Sequence, residues 1–485
     1  MGTIPDKYRL RLRRGGTLAL VLLGLLYPAE GLRAQPSAPN SIAAPSAAAS
    51  KGVPSVPSMS LQEALAYARF HQPELRAARE RFLAVAADAR VPSAEWLPSA
   101  GAALEIVGSS TNNSTSTIYR NDAVDLPRIG GTTIHSTPDW QPYATTLATV
   151  GLRQEVFDFG RIAAQTAAGD ALVAIERDRL QGTRIDITLI VTQAYFAVKA
   201  ARAVMDAATQ AEQRAQIHSD FADAGVKAGM RPPIEITRAK ADLTRFTVGR
   251  IRSEGNLRVA RSVLAAAVGF TEAELDSTPS QEPLPATPPL AQVEQRAKAY
   301  QPEILQALDR HKAQHAQTLA ISASTRPNLF ATAALSARAG GAPSNTGFVP
   351  EGRGFIPSVP NYDAGLIMSW PFYEPTVDAT ASASRQREWA YEAEIAAAQQ
   401  RAVAAAQQAY RRTRVAESAL DALAQAAEAA RANYEQADAR FKAGLGTSTE
   451  LADAEAIRFE AEVQQAVGGF ELATARANLA RVMGD

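Results

Sequence analysis

The 485-residue sequence contains no cysteine. This absence excludes disulfide bonds, thiolate metal sites and a cysteine nucleophile. It also excludes anchoring through a lipid on an N-terminal cysteine. The chain has no net charge either, because its 50 basic residues are balanced by 50 acidic residues and the two kinds are interspersed. The composition therefore gives no support for a nucleic-acid-binding surface, and no nucleic acid is predicted as a partner.

Catalytic motifs are missing as well. The sequence has no Walker loop, no G-x-S-x-G elbow and no H-E-x-x-H pair, which are common signatures of nucleotide, acyl and metal chemistry. His311 and His315 have the spacing of two metal ligands on a helix, but no third ligand is adjacent, so a solvated helix face is the preferred interpretation. We therefore predict that the protein is not an enzyme and that it holds no metal or cofactor.

Long hydrophobic runs are confined to the N-terminus. A basic segment from Lys7 to Arg14 precedes the apolar run TLALVLLGLLYPA, which has the length of a signal-peptide core and is too short to span a bilayer. Residues 1–34 are predicted to be a signal peptide, with a membrane anchor as the alternative, and residues 35–58 to be a flexible leader rich in proline, alanine and serine. Since no other apolar run approaches about 20 residues, any membrane insertion is expected to use β-strands.

The rest of the sequence is an internal duplication. HQPEL at 71–75 matches YQPEI at 300–304, and the glycine-containing stretch around Gly229 matches the one around Gly444 at a constant offset of 215 residues. We therefore divide the chain into a first repeat at 59–270, a linker at 271–290 and a second repeat at 291–485.

Each repeat contains two predicted strands with alternating apolar and polar residues. They cover residues 97–108, 143–157, 327–338 and 361–372, and polar loops at about 109–141 and 339–360 separate the members of each pair. Alternation alone also fits a soluble β-sandwich. Strand length and export favour contact with lipid, as do aromatic residues at the strand ends that would form an interfacial girdle: Trp96, Trp140, Tyr143, Tyr362, Trp370 and Phe372.

Long helices follow the strands. Residues 158–228 and 374–443 are each about 70 residues long and would extend about 100 Å, and helices at 231–268 and 448–483 return from the turns. Gly229, Gly444 and Gly446 mark these turns, since glycine tolerates the positive φ of a helix C-terminus. Four strands cannot close a barrel, so several copies must share one. A periplasmic coiled-coil adaptor and an exported hydrolase are the competing hypotheses.

The sequence resembles the TolC family of outer-membrane efflux and secretion channels. The resemblance rests on SLQEALAYARFHQPEL, on the WLP and RPNL entries to strands, on QEVFDFGR at 154–161 and on the two turns. It implies an α+β membrane protein that lies in the lipid of the outer membrane as a homotrimer. Each chain would contribute four transmembrane strands to one shared β-barrel of twelve strands. A long antiparallel α-helical tunnel would continue the barrel through the periplasm and meet a periplasmic adaptor and an inner-membrane transporter.

The resemblance also implies a periplasmic gate. Glu450 and Asp453, just past the second turn, and Glu235 in the first repeat would form an acidic constriction, and the turns at Gly229, Gly444 and Gly446 would contact the adaptor. Glu450 has an alternative explanation as an ordinary acid at a helix start. Phe441 and Gly446 stand where related channels have a tyrosine and an arginine, so the lock that holds the mouth shut is not identified.

The cargo is inferred from the missing cysteine. Lipidated members of the family commonly serve drug-efflux pumps, and this chain has no cysteine to lipidate. We therefore expect type I protein secretion with an ABC transporter, with drug or metal efflux as the alternative.

Overall fold

A computed structural model describes residues 56–110, 142–278, 286–340, 356 and 359–485. The predicted signal peptide, nearly all of the leader, most of both predicted loops and Trp140 lie outside these residues.

The first repeat forms two strands between helical segments. Ser60 begins the first helix with a capping box, in which the Glu63 carboxylate accepts from the Ser60 amide. Pro73 then starts a second helix, because proline fits the first helical position but cannot continue the preceding helix. The elements are β1 (Ser58–Met59), α1 (Leu61–His71), α2 (Pro73–Asp88), α3 (Val91–Ala94), β2 (Ser99–Ser110), β3 (Pro142–Phe157), α4 (Arg161–Lys227) and α5 (Ile234–Val268).

The second repeat follows the same order. Pro302 starts a helix at the position equivalent to Pro73. The start of the long helix after the strands differs between the repeats: Asp158 and Gly160 precede α4, whereas Glu374 and Pro375 begin its counterpart. The elements are β4 (Asp276–Ser277), α6 (Leu290–Tyr300), α7 (Pro302–Ala323), β5 (Asn328–Gly340), β6 (Val359–Ser369), α8 (Pro375–Lys442) and α9 (Ser448–Met483).

A two-stranded pairing was not predicted. β1, at the end of the assumed leader, pairs in parallel with β4, which lies in the assumed linker. Asp276 in β4 is buried and forms ion pairs with Arg202 and Arg261. These contacts fasten the ends of the first repeat to α4 and α5.

The four longer strands form one antiparallel sheet in the order β2-β3-β5-β6. They occupy the segments that the sequence predicts, to within three residues at each end. The register places Ala102, Val150, Leu335 and Tyr362 in one row across the sheet. Alternation in each strand therefore produces one continuous apolar face.

This apolar face is the exposed one. Leu335 is 55% exposed and Leu366 is 68% exposed, whereas Thr332 and Ala334, on the other face of β5, are each 7% exposed. A strand in a soluble sandwich would bury the large apolar side chains instead. The sheet thus has the polarity of a membrane barrel, in which apolar residues point outward.

The long helices pack side by side in the order α5, α4, α9, α8. α4 has 67 residues and α8 has 68, close to the predicted lengths. Many of the buried positions on α8 are alanine, for example Ala402, Ala406 and Ala427. Small side chains allow close helix packing, which suits a wall of helices.

One stretch of α4 is as long and as apolar as a membrane span, with a mean hydropathy of 1.3, and the sequence analysis did not recognise it. Val191 and Val198 in α4 are completely buried in a core shared with α1 and α5. Burial in this core accounts for part of the apolar character of the stretch, 33% of which is buried.

A charge on the exposed apolar face is expected to be costly in lipid. Leu335→Arg should reduce the free energy of unfolding in lipid vesicles by about 2–4 kcal/mol if the residue lies near the bilayer midplane. Ser336→Arg is the matched control, because the next residue of the strand faces the other way. Equal tolerance of the two variants would show that the apolar face does not contact lipid.

Candidate functional site

The first tip turn joins α4 to α5. Gly229 has φ of 73°, and the Met230 amide donates to the carbonyl of Gly225 at 2.9 Å, which closes the helix in a Schellman arrangement. Pro232 and Pro233 precede α5, so this turn lacks the amide hydrogens that a capping box uses.

The second tip turn joins α8 to α9. Gly444 has φ of 76°, and the Leu445 amide donates to the Arg440 carbonyl at 2.9 Å. Thr447 is the N-cap of α9 and forms a capping box with Glu450, with a hydrogen bond of 3.2 Å in each direction. A Cβ on Gly446 would lie 3.1 Å from the Phe441 amide nitrogen, so a larger residue would be crowded there.

Arg231 connects the two turns. Its Nη2 donates to the carbonyl oxygen of Phe441 at 3.0 Å, and its Nη1 forms an ion pair with Glu235 at 2.8 Å. The guanidinium carbon lies 3.8 Å from the centre of the Phe441 ring, within cation–π range. A cation at the C-terminus of α8 is also favourable because the last carbonyls of a helix carry partial negative charge.

Sequence reasoning did not find Arg231, although a signal was present. Arg231 occupies the position of the first repeat that is equivalent to Gly446 in the second repeat, so comparison of the two turns singles it out.

Phe441 is the centre of the tip packing. It is 2% exposed, and its ring lies 4.8 Å from that of His218 and 5.5 Å from that of Phe221. Among the described residues, Nε2 of His218 is buried without a hydrogen-bond partner. Burial lowers the pKa of His218 below its ordinary value, and the charge of Arg231 acts in the same direction against the opposing carboxylates Asp242, Glu235 and Asp438.

The three predicted gate acids have different surroundings. Glu235 is largely buried in its ion pair with Arg231. Glu450 is exposed, and its carboxylate caps α9. Asp453 is exposed one turn further along α9, and within the described part of the chain no hydrogen bond or ion pair to it is seen.

A second connection lies above the tip, between α4 and α9. Arg214 holds the buried Glu455 with three hydrogen bonds of 2.8–3.1 Å, and Arg214 and Arg458 lie against the ring of Tyr434 on α8. Burial, partly offset by the Arg214 guanidinium, raises the pKa of Glu455. Burial also raises the pKa of Tyr434 to about 12. Nothing in the duplication indicated this contact, because the equivalent residues are Ala429 and Lys240.

The predicted girdle residues lie at the ends of the sheet. Trp96 precedes β2 and Trp370 and Phe372 follow β6, all at the end from which the helices continue, and all three are exposed. Tyr362 is exposed toward the far end of β6, about 26 Å along the strand from Trp370. Tyr143 lies at the start of β3, although its side chain is outside the description.

His311 and His315 are not brought to further metal ligands. Nδ1 of His315 lies 2.7 Å from the Glu388 carboxylate. In the described ranges no group of three potential ligands is suited to a metal ion.

Removal of the Arg231 charge is expected to loosen the tip. Arg231→Met keeps the aliphatic stem but loses the hydrogen bond to Phe441 and the ion pair with Glu235, at a cost of about 1–3 kcal/mol. Hydrogen exchange should therefore accelerate in residues 225–235 and 440–447. Arg238→Met, on an exposed position of α5, is the control and should leave exchange unchanged. Equal exchange in the two variants would contradict the role of Arg231.

Acid is expected to weaken the same packing through His218. Because its folded-state pKa is lowered, the stabilisation is complete above the unfolded pKa of about 6.5 and is lost as the pH falls through the folded value. Protection of the tip amides against hydrogen exchange, relative to the intrinsic exchange rate at each pH, should thus fall below about pH 6.5. His218→Asn adopts the residue of the equivalent position, Asn433, and should flatten this profile, whereas His71→Asn should not. A profile unchanged in His218→Asn would assign the pH dependence to other groups.

Comparisons with known proteins agree with this architecture. The family model of outer membrane efflux proteins matches residues 64–269 and 293–485, so it covers both repeats. A search of the curated proteins returned no match.

Several solved structures share the fold. The outer-membrane channel OprN superposes with a TM-score of 0.68 at 20% identity, over 87% of this chain and 89% of that chain. VceC of Vibrio cholerae superposes with a TM-score of 0.67 at 16% identity, over 87% of this chain and 96% of that chain. The open state of the MtrE outer membrane channel of Neisseria gonorrhoeae superposes with a TM-score of 0.63 at 18% identity, over 87% of this chain and 88% of that chain.

The family match covers most of the chain, and it confirms the sequence-based resemblance, the outer-membrane location and the prediction that the protein is not an enzyme. The internally duplicated fold is confirmed as well, since one family model describes both halves. The chain belongs to the outer membrane efflux protein family and is an outer-membrane efflux channel.

Proposed function

We propose that three copies of this chain form the exit duct of a tripartite export system. The observation that carries the proposal is the four-stranded sheet with its apolar face outward. Such a sheet leaves two unpaired edges, β2 and β6, among the described strands, and lipid offers those edges no hydrogen bonds. Pairing β6 of one copy with β2 of the next satisfies both edges, and three copies give a closed barrel of twelve strands.

The helices support the same assembly. Each chain contributes two hairpins, so three chains place six tips around the mouth of a periplasmic tunnel. The turns at Gly229, Gly444 and Gly446 are the surfaces offered to a periplasmic adaptor, which links the duct to an inner-membrane transporter. Met230 and Leu445, at equivalent positions of the two turns, are highly exposed apolar side chains and suit such a contact.

Asp453 and Glu450 are proposed to line the mouth. Three-fold repetition would arrange these exposed carboxylates as a ring that attracts cations. Glu450 serves both as helix cap and as ring member, because the carboxylate that caps α9 is exposed. Glu235 is proposed to act by holding Arg231 against Phe441, because its own charge is compensated there.

Type I protein secretion is the proposed transport process, because the chain has no cysteine on which the lipid anchor common among drug-efflux members could be carried. Drug or metal efflux is the second candidate, favoured by the description of the matched family. Deletion of the protein, followed by assays of the secreted proteome and of drug and metal tolerance, separates the two. We expect loss of a secreted protein with little change in tolerance. Unchanged secretion with sharply reduced tolerance would establish the second candidate.

Neutralisation of the mouth should change ion selectivity. Purified protein in a planar bilayer is expected to conduct with a preference for cations, and Glu450→Ala with Asp453→Ala should weaken that preference. Glu428→Ala, an exposed acid on α8 away from the tip, is the control. An unaltered selectivity in the double variant would place the constriction elsewhere.

A further inference from the structure

The face of the sheet opposite the exposed apolar face carries its bulky side chains at one level. The register places Glu155, Phe330 and Ile367 in one row across β3, β5 and β6, near the end of the sheet from which the helices continue. Arg153 lies on the same face in the neighbouring row. We call these four residues the inner belt. Farther from the helices, the described positions of this face are small apart from Glu105 and Asp363: Gly101, Ala103, Thr149, Gly151, Ala334 and Ser336.

Arg153 is held in the inner belt by the ring of Phe330. Because Arg153 pairs with Thr332, Phe330 is its diagonal neighbour on the adjacent strand and within reach of a long side chain. The guanidinium carbon of Arg153 lies 4.1 Å from the centre of the Phe330 ring, within cation–π range. A guanidinium over a ring gives up one of its faces to the contact and keeps the N–H groups along its edge available to an acceptor.

The charge of Arg153 is not compensated within the described part of the chain, where no hydrogen bond or ion pair of its guanidinium is seen. Glu155, two residues further along the same face, accepts from the side-chain amide of Asn328 at 2.8 Å instead. The other described charges of this face, Glu105 and Asp363, are acidic and lie farther from the helices. Among the described side chains of the face, Arg153 is therefore the only cation, and a neutral ring positions it.

In the proposed barrel this face becomes the wall of the lumen. Three copies around one axis would place three such guanidinium groups at the level where the barrel meets the helices. Arginine binds planar carboxylates and related anions through charge-assisted hydrogen bonds, which are stronger than neutral ones. Contact with Phe330 restricts the Arg153 side chain in advance, so that less conformational entropy is lost when an anion binds.

We propose that the inner belt is a contact site for anionic groups of the cargo, aromatic acids in particular, in which Arg153 binds the anion and Phe330 positions Arg153. The proposal rests on the proposed trimeric channel, but it is independent of the two candidate transport processes, since acidic peptides and anionic drugs share this chemistry. Glu105, Glu155 and Asp363 outnumber Arg153 on the described face. The belt is therefore a local point of attachment and does not reverse the cation preference of the whole duct.

Block of the channel by an aromatic sulfonate tests the site. Pyrenetetrasulfonate, added to both sides of a planar bilayer that contains the purified protein, should reduce the current. Arg153→Gln should raise the half-blocking concentration by about tenfold or more, because the hydrogen bonds to a charged group are lost. Thr149→Gln is the matched control, because it adds the same side chain to the same face of β3 without removing a cation, and it should leave the block unchanged.

A second variant tests the positioning role of Phe330. Phe330→Leu keeps an apolar side chain but removes the ring under the guanidinium, and it should raise the half-blocking concentration by about threefold. All variants should conduct as the unmodified protein does when the sulfonate is absent. A conducting channel that the sulfonate does not block, or that it blocks equally in Arg153→Gln, would overturn the proposal. Absence of a conducting trimer before any substitution would instead refute the proposed function.

Discussion

Backbone hydrogen bonding in lipid is the constraint on which this structure depends. A sheet in a bilayer must pair every strand, because lipid supplies neither donors nor acceptors. The four strands of this chain leave β2 and β6 as edges and present Val150, Leu335 and Leu366 on the exposed face. A single copy would leave the two edges unpaired in lipid and would leave the apolar face exposed in water. The proposed assembly of several copies meets this constraint, and in that assembly the side-by-side long helices would extend the ring away from the membrane.

The two tip turns are equivalent by duplication, but they make different contacts. Both turns use a glycine with positive φ, and both place a glutamate in the first turn of the returning helix. Thr447 gives Glu450 a capping partner, whereas Pro232 cannot, so Glu235 pairs with Arg231 instead. Arg231 then reaches the second turn at Phe441. Two differences between the repeats, Arg231 against Gly446 and Pro232 against Thr447, thus replace a helix cap with a connection between the hairpins.

Much of the fold could be predicted from the sequence because it is repeated and periodic. Strand alternation and the glycines at both turns located the four strands and the long helices to within a few residues. The pairing of β1 with β4 was not foreseen, since two-residue strands have no periodicity. The buried pair of Arg214 with Glu455 was equally hidden, because its residues lie 241 positions apart and have no charged equivalents. The importance of Arg231 could have been predicted from the sequence, but only by comparing one turn with the other. Contacts between distant helices depend on how the layer packs, which a local pattern does not encode.

The proposed roles of Glu450 and Asp453 at the mouth and the proposed pairing of β6 with β2 of the next copy require a ring of chains. The mass of the detergent-solubilised protein, measured by native mass spectrometry, tests this requirement most directly. The account predicts a complex of three chains that persists when detergent is exchanged. A stable monomer would contradict it, because four strands close no barrel. A complex of two chains would contradict it as well, because it would supply eight strands and not the proposed twelve.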